Sequence, residues 1–88
     1  MVSAKKNITI KNKQGLHARP AALFVQIASK YDSDITVKKG KETVNGKSIM
    51  GILMLAANKG SKIIIEATGA DAQEAILELE ALLSKEDE

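Results

Sequence analysis

The heptapeptide GLHARPA, Gly15 to Ala21, holds the only histidine and the only proline of the 88-residue chain. An imidazole, a guanidinium and a backbone locked by a ring, all within four positions, suit phosphoryl chemistry. Pro20 is tolerated only in the first turn of a helix, where its missing N–H would be an orphan in any case. A helix therefore starts within Ala18 to Pro20, with His17 at or just before its N-cap. The residue before a proline resists the α conformation, so whether His17 or Arg19 is the cap stays open. At such a start the first amides point outward unpaired and the aligned peptide dipoles leave partial positive charge, a ready site for an anion. The same field disfavours imidazolium, so the ring should keep a nitrogen lone pair and act as a nucleophile. Arg19 can fork onto phosphate oxygens. A phosphoryl group on His17 would meet a counter-dipole already in place.

Other chemistries are poorly served. The chain has no cysteine, which excludes a disulfide framework, a thiolate nucleophile and a sulfur-ligated metal. A single histidine without cysteine leaves no metal set, and no cofactor is expected. No Asp or Glu lies near His17 in sequence to build a Ser-His-Asp relay. The plain alternative for His17 is a surface cap. Gly46-Lys47-Ser48 has the ending of a phosphate-binding loop, but five residues separate Gly40 from Gly46 where that motif needs four, and nucleotide binding is rejected. Ser48 reads better as an N-cap.

These residues need elements to hold them. NITIKNK, with Ile8 and Ile10 between polar neighbours, predicts a half-buried strand that Gly15 brings to an end. From Pro20 to about Lys30 the residues Ala21, Leu23, Phe24, Ile27, Ala28 and Tyr31 recur at helical spacing. SDITVKKGKETVNG predicts two strands about a turn at Gly40, with Ile35 and Val37 on one face. SIMGILMLAANKG predicts a short helix from Ser48, ended by Asn58 to Gly60. SKIIIEATG is a β-branched run suited to a central strand. ADAQEAILELEALL predicts a last helix with Asp71 and Glu74 as a capping box and Ala75, Ile76, Leu79, Leu82 and Leu83 on one stripe. A charged tail follows. The order βαββαβα implies an α+β open-faced sandwich, one domain over residues 1–88, with helices on one face of the sheet and water on the other.

Composition sets the remaining bounds. With 44% hydrophobic residues but one Phe, one Tyr and no Trp, the core must be aliphatic and stacking on bases is disfavoured. No stretch has the apolar length to span a bilayer, and the start lacks a signal-peptide core, which points to the cytoplasm. The net charge of +2 hides a polarity: Met1 to Ser48 carries ten basic against three acidic residues, and Ile49 to Glu88 three against eight. A basic half around the histidine favours phosphate or an acidic partner surface. Within the short helix, Ile49, Met50 and Leu53 fall at spacings that cannot all face the core. They form either an apolar docking patch near His17 or ordinary core contacts.

GLHARPAALF followed by NGKSIMGILML, on a βαββαβα framework of this length, resembles HPr, the histidine-containing phosphocarrier family of the bacterial sugar phosphotransferase system. The resemblance spans essentially the whole chain. It implies an antiparallel sheet in the order 1-4-2-3. It also implies a carrier rather than an enzyme: His17 takes phosphate at Nδ1 from phosphorylated enzyme I, itself charged by phosphoenolpyruvate, and passes it to the A domains of sugar-specific enzymes II. By the same resemblance the Ala18 and Arg19 amides and the Arg19 guanidinium support the phosphoryl group, while Pro20 fixes the first turn. Ser48 matches a serine that HPr kinase/phosphorylase modifies in many members, in catabolite control through a transcription regulator. A monomer without nucleic-acid or membrane partners is expected. A purely regulatory binding module, an RNA-binding domain and a Ser48–His17 acyl transferase are the competing readings. The first would not need His17, the second lacks aromatic residues, and the third lacks a G-x-S-x-G elbow.

Overall fold

The computed structural model describes residues 2–13 and 15–84; the charged tail at 85–88 lies outside them. The elements are β1 (Ser3–Thr9), α1 (Ala18–Ser29), β2 (Asp34–Lys39), β3 (Glu42–Asn45), α2 (Ile49–Leu55), β4 (Lys62–Thr68) and α3 (Ala72–Leu83). They form one antiparallel sheet in the order β1-β4-β2-β3, with Ile8 opposite Ile63 and Val37 opposite both Ile65 and Val44. Inward residues of the strands, Ile8, Ile35, Val37, Ile63, Ile65 and Ala67, are buried under helical residues such as Phe24, Ile52 and Leu79. Outward neighbours such as Lys5, Thr36, Lys38 and Glu66 are exposed, so the sheet's other face meets water.

Two boundaries and one cap differ from the sequence reading. The first strand begins at Ser3, four residues before the apolar alternation becomes visible, because its inward positions there are Ala4 and Lys6. Lys6 lies at the sheet edge, and its ammonium lies 3.6 Å from Glu80 on α3. The short helix stops at Leu55, where Ala56 turns left-handed at φ 54°, rather than running to Asn58. The capping box of the last helix does not form. Asp71 is the N-cap residue but makes no side-chain cap bond. Its carboxylate instead accepts from the amides of Asp32 (2.9 Å) and Ser33 (3.0 Å) and from the Ser33 hydroxyl, joining the chain before β2 to the head of α3. Three donors on an irregular turn satisfy the carboxylate better than one helical amide.

The topology also sorts charge. The end of β1, the turn after β2, the start of β4 and the start of α1 share one end of the sheet, since Thr9 pairs with Lys62 and Lys38 with Ile64. Exposed Lys11, Lys13, Arg19, Lys38, Lys41, Lys59 and Lys62 lie there with one acid among the described residues, Glu42. Asp32, Asp34, Asp71 and Glu74 belong to the other end.

Candidate functional site

His17 is the N-cap of α1, with extended backbone at φ −86° and ψ −165°, and its side chain makes no cap bond. Its carbonyl accepts from Ala21 N–H at 2.8 Å, which closes the first turn. The Ala18 and Arg19 amides have no backbone partner among the described residues, and Pro20 has none to offer. Arg19 is thus already helical despite preceding a proline, which settles the cap in favour of His17. His17, Ala18 and Arg19 are exposed while Pro20 is buried, so the imidazole and two open amides face solvent on a turn that is anchored from beneath. Among the described residues no carboxylate pairs with Arg19.

The loop feeding this turn is held at several points. Ile10 donates to the Ser61 carbonyl at 2.9 Å and accepts from Gly60 at 2.8 Å, which ties the chain leaving β1 to the approach of β4. Gly15 is left-handed at φ 64° and lies so close to Ala57 that a Cβ would meet the Ala57 carbonyl oxygen, so only glycine fits. The buried Leu16 donates to that same carbonyl at 2.8 Å. Asn12 is also buried, and its carboxamide N–H donates to the Gly15 carbonyl at 3.0 Å. Sequence reasoning passed over Asn12, because nothing in the polar run KNKQ between Ile10 and Gly15 marks which of its residues is buried.

Ser48 is the N-cap of α2, its hydroxyl oxygen accepting from Gly51 N–H at 3.1 Å. Ile52 and Leu55 face the core, whereas Ile49, Met50 and Leu53 are 39%, 63% and 38% exposed. The outward strip includes Met54, 72% exposed, which the sequence reading left out. At the end of α2 the Lys39 ammonium meets the Leu55 and Ala56 carbonyls, at 3.4 and 3.2 Å, and neutralises the negative end of the helix. Ala57 then meets Leu16, so the far end of α2 abuts the His17 loop. At the Ser48 end, Lys47 reaches the Tyr31 carbonyl at the end of α1, at 2.7 Å. His17 and Ser48 therefore stand at opposite ends of one apolar strip rather than side by side, an arrangement unsuited to a Ser–His pair.

Comparison with known proteins places this geometry. The family model for the PTS HPr component phosphorylation site matches residues 4–85. The phosphocarrier protein HPr of Neisseria meningitidis serogroup A is 50% identical over 80 residues, covering 91% of this chain and 90% of the relative. The crystal structure of HPr from Bacillus anthracis superimposes with a TM-score of 0.91 at 46% identity, over 96% of this chain and all of the other. Crh, the catabolite repression protein of Bacillus subtilis, matches with a TM-score of 0.76 at 44% identity, over 90% of this chain and 91% of the other, and is described as a dimer with a swapped domain. The fold therefore admits dimers, and the monomer expected from the sequence does not follow from it. No helix among the described residues is long and apolar enough to cross a membrane. With a family match across nearly its whole length and 50% identity to a phosphocarrier over 80 aligned residues, the chain belongs to the HPr family of the phosphotransferase system.

Proposed function

We propose that this chain carries a phosphoryl group on His17, accepting it in the cytoplasm from phosphorylated enzyme I and donating it to the A domains of sugar-specific enzymes II. The observation that carries the reading is the exposed N-cap imidazole, free of any cap bond, beside two amides without backbone partners. A lone pair on Nδ1 attacks phosphorus; as the P–N bond forms, the bond from phosphorus to the donor breaks and its electron pair returns to the donor. The Ala18 and Arg19 N–H groups donate to the phosphoryl oxygens, the Arg19 guanidinium supplies positive charge, and Pro20 keeps the turn in register. The next acceptor takes the group by the same exchange in reverse, so the chain is a carrier with a transient phosphohistidine and needs no cofactor.

Ile49, Met50 and Leu53 form the docking strip in this reading. Phosphorylation of Ser48 by HPr kinase/phosphorylase regulates it, and a catabolite-control transcription regulator reads the mark. The exposure of the strip and the likeness to a catabolite repression protein support this part. A dianion at the N-cap of α2 is compatible with the helix and repels acidic partners of the adjoining surface.

The test is incubation with enzyme I and phosphoenolpyruvate. The wild type should gain an acid-labile, base-stable phosphate, and His17→Ala should gain none; undiminished incorporation in His17→Ala refutes the reading. Ser48→Asp should slow uptake while leaving the melting temperature nearly unchanged, and an unaltered rate refutes the regulatory part.

A further inference from the structure

Asn12 is one of two polar residues buried among the described residues, at 2% exposure. It sits between two anchors of the His17 loop: Ile10, bonded to Gly60 and Ser61, and Leu16, bonded to Ala57. Across that gap it makes a reciprocal pair with Gly15. The carboxamide N–H reaches the Gly15 carbonyl at 3.0 Å, and Gly15 N–H returns to the Asn12 carbonyl at 3.2 Å. Meanwhile the Asn12 side-chain oxygen is buried without a partner among the described residues. A buried polar atom left unpaired costs on the order of 1–3 kcal/mol. An apolar side chain of similar volume would avoid that cost but would leave the Gly15 carbonyl without its carboxamide donor. What only the amide supplies is a directional N–H fixed on the carbonyl two residues before the imidazole.

We infer that Asn12 is a positioning residue for transfer at His17, holding the Gly15 carbonyl and through it the path by which the loop delivers the ring to the open amides of α1. The inference rests on the carrier reading above. Rotation of the Gly15–Leu16 peptide would swing His17 about the left-handed glycine, and the carboxamide bond opposes that rotation. Asn12 touches neither phosphorus nor the reacting nitrogen; it acts on where that nitrogen is held. Misplacement of a reacting atom by about 1 Å costs on the order of a hundredfold in rate, so a partial loosening should be plainly measurable.

Asn12→Asp keeps the shape, removes the N–H and turns an oxygen toward the Gly15 carbonyl. Ile76→Val, a small change in the core under α3, serves as a control for lost stability. Both variants and the wild type are charged by enzyme I and phosphoenolpyruvate over a range of carrier concentrations, and the half-life of the phosphohistidine is followed. Asn12→Asp should lower the maximal transfer rate roughly tenfold with KM within about twofold, and shorten the half-life of the phosphorylated form. Ile76→Val should change neither. A transfer rate equal to wild type in Asn12→Asp, or a loss that Ile76→Val reproduces at equal melting temperature, overturns the inference. If Asn12→Asp does not fold, Asn12→Ala carries the same comparison without oxygen facing oxygen. Failure of the wild type itself to take up phosphate would instead sink the carrier reading.

Discussion

Asp71 and Glu78 act at the end of the molecule away from His17, and both make stability depend on pH. The Ser33 hydroxyl, then the Asp32 amide, hold the Asp71 carboxyl below its ordinary value. Lys30, at 2.6 Å, and then Tyr31 do the same for Glu78. Each group has a lower pKa folded than unfolded, so its stabilisation is complete above the usual carboxylate range and is lost as pH falls through the folded value. Asp71→Asn should lower the urea midpoint at neutral pH, and the gap from wild type should narrow as the solution is acidified. Tyr31 has the opposite sign. Its hydroxyl donates to Glu78, and that carboxylate pushes its pKa up to about 12. Its contribution is whole below the ordinary value of 10.0 and fades as pH rises toward 12. Denaturant melts across the alkaline range should therefore show a steeper decline for the wild type than for Tyr31→Phe.

At the scale of elements, α2 is the shortest of the three helices described, with seven residues closed by Ser48 at one end and a left-handed alanine at the other. An L-residue with a Cβ costs roughly 1–2 kcal/mol in that conformation, and glycine escapes most of it. Ala56→Gly should thus stabilise the protein by about 1 kcal/mol, raising the melting temperature by roughly 4–8 °C, which calorimetry would register. Ser48→Ala should cost about 1 kcal/mol through loss of the bond from Gly51. The order of elements, the Ser48 cap and the burial of Ile35 and Val37 were legible because apolar spacing and capping chemistry are local. The end of α2 was not, since nothing in LMLAANKG marks Ala56 as the residue that turns. Nor was the role of Asp71: an acid three residues before Glu74 is written alike whether it caps its own helix or holds a turn far away in sequence. The open amides at His17 could be inferred from Pro20, but the frame under them depends on Asn12 meeting Gly15 and on Ala57 meeting Leu16, which only the folded chain brings about.

At the scale of the whole molecule, segregated charge governs how the carrier meets a partner. Seven exposed cations from four separate stretches gather at the end that holds His17, with Glu42 the one acid beside them among the described residues. The sequence betrays an excess of base in its first half, but Lys59 and Lys62 come from the acidic second half and join only through the pairing of β4 with β1 and β2. Oriented encounter with an acidic surface is a rate effect that salt screens. On the carrier reading, stopped-flow transfer should slow by about tenfold between low and near-molar salt. Lys59→Glu should be slower at low salt and converge on the wild type at high salt. The sheet order β1-β4-β2-β3 has a further consequence, for the way the chain is made. β4 is the only neighbour of β1 and one of the two neighbours of β2, yet it is the last strand to leave the ribosome. Until Thr68 has emerged, the β2–β3 hairpin is the only part of the sheet that can close. A nascent chain stalled before Lys62 would carry the histidine and the residues that anchor its loop, but not the strand that joins β1 to the β2–β3 hairpin beneath them.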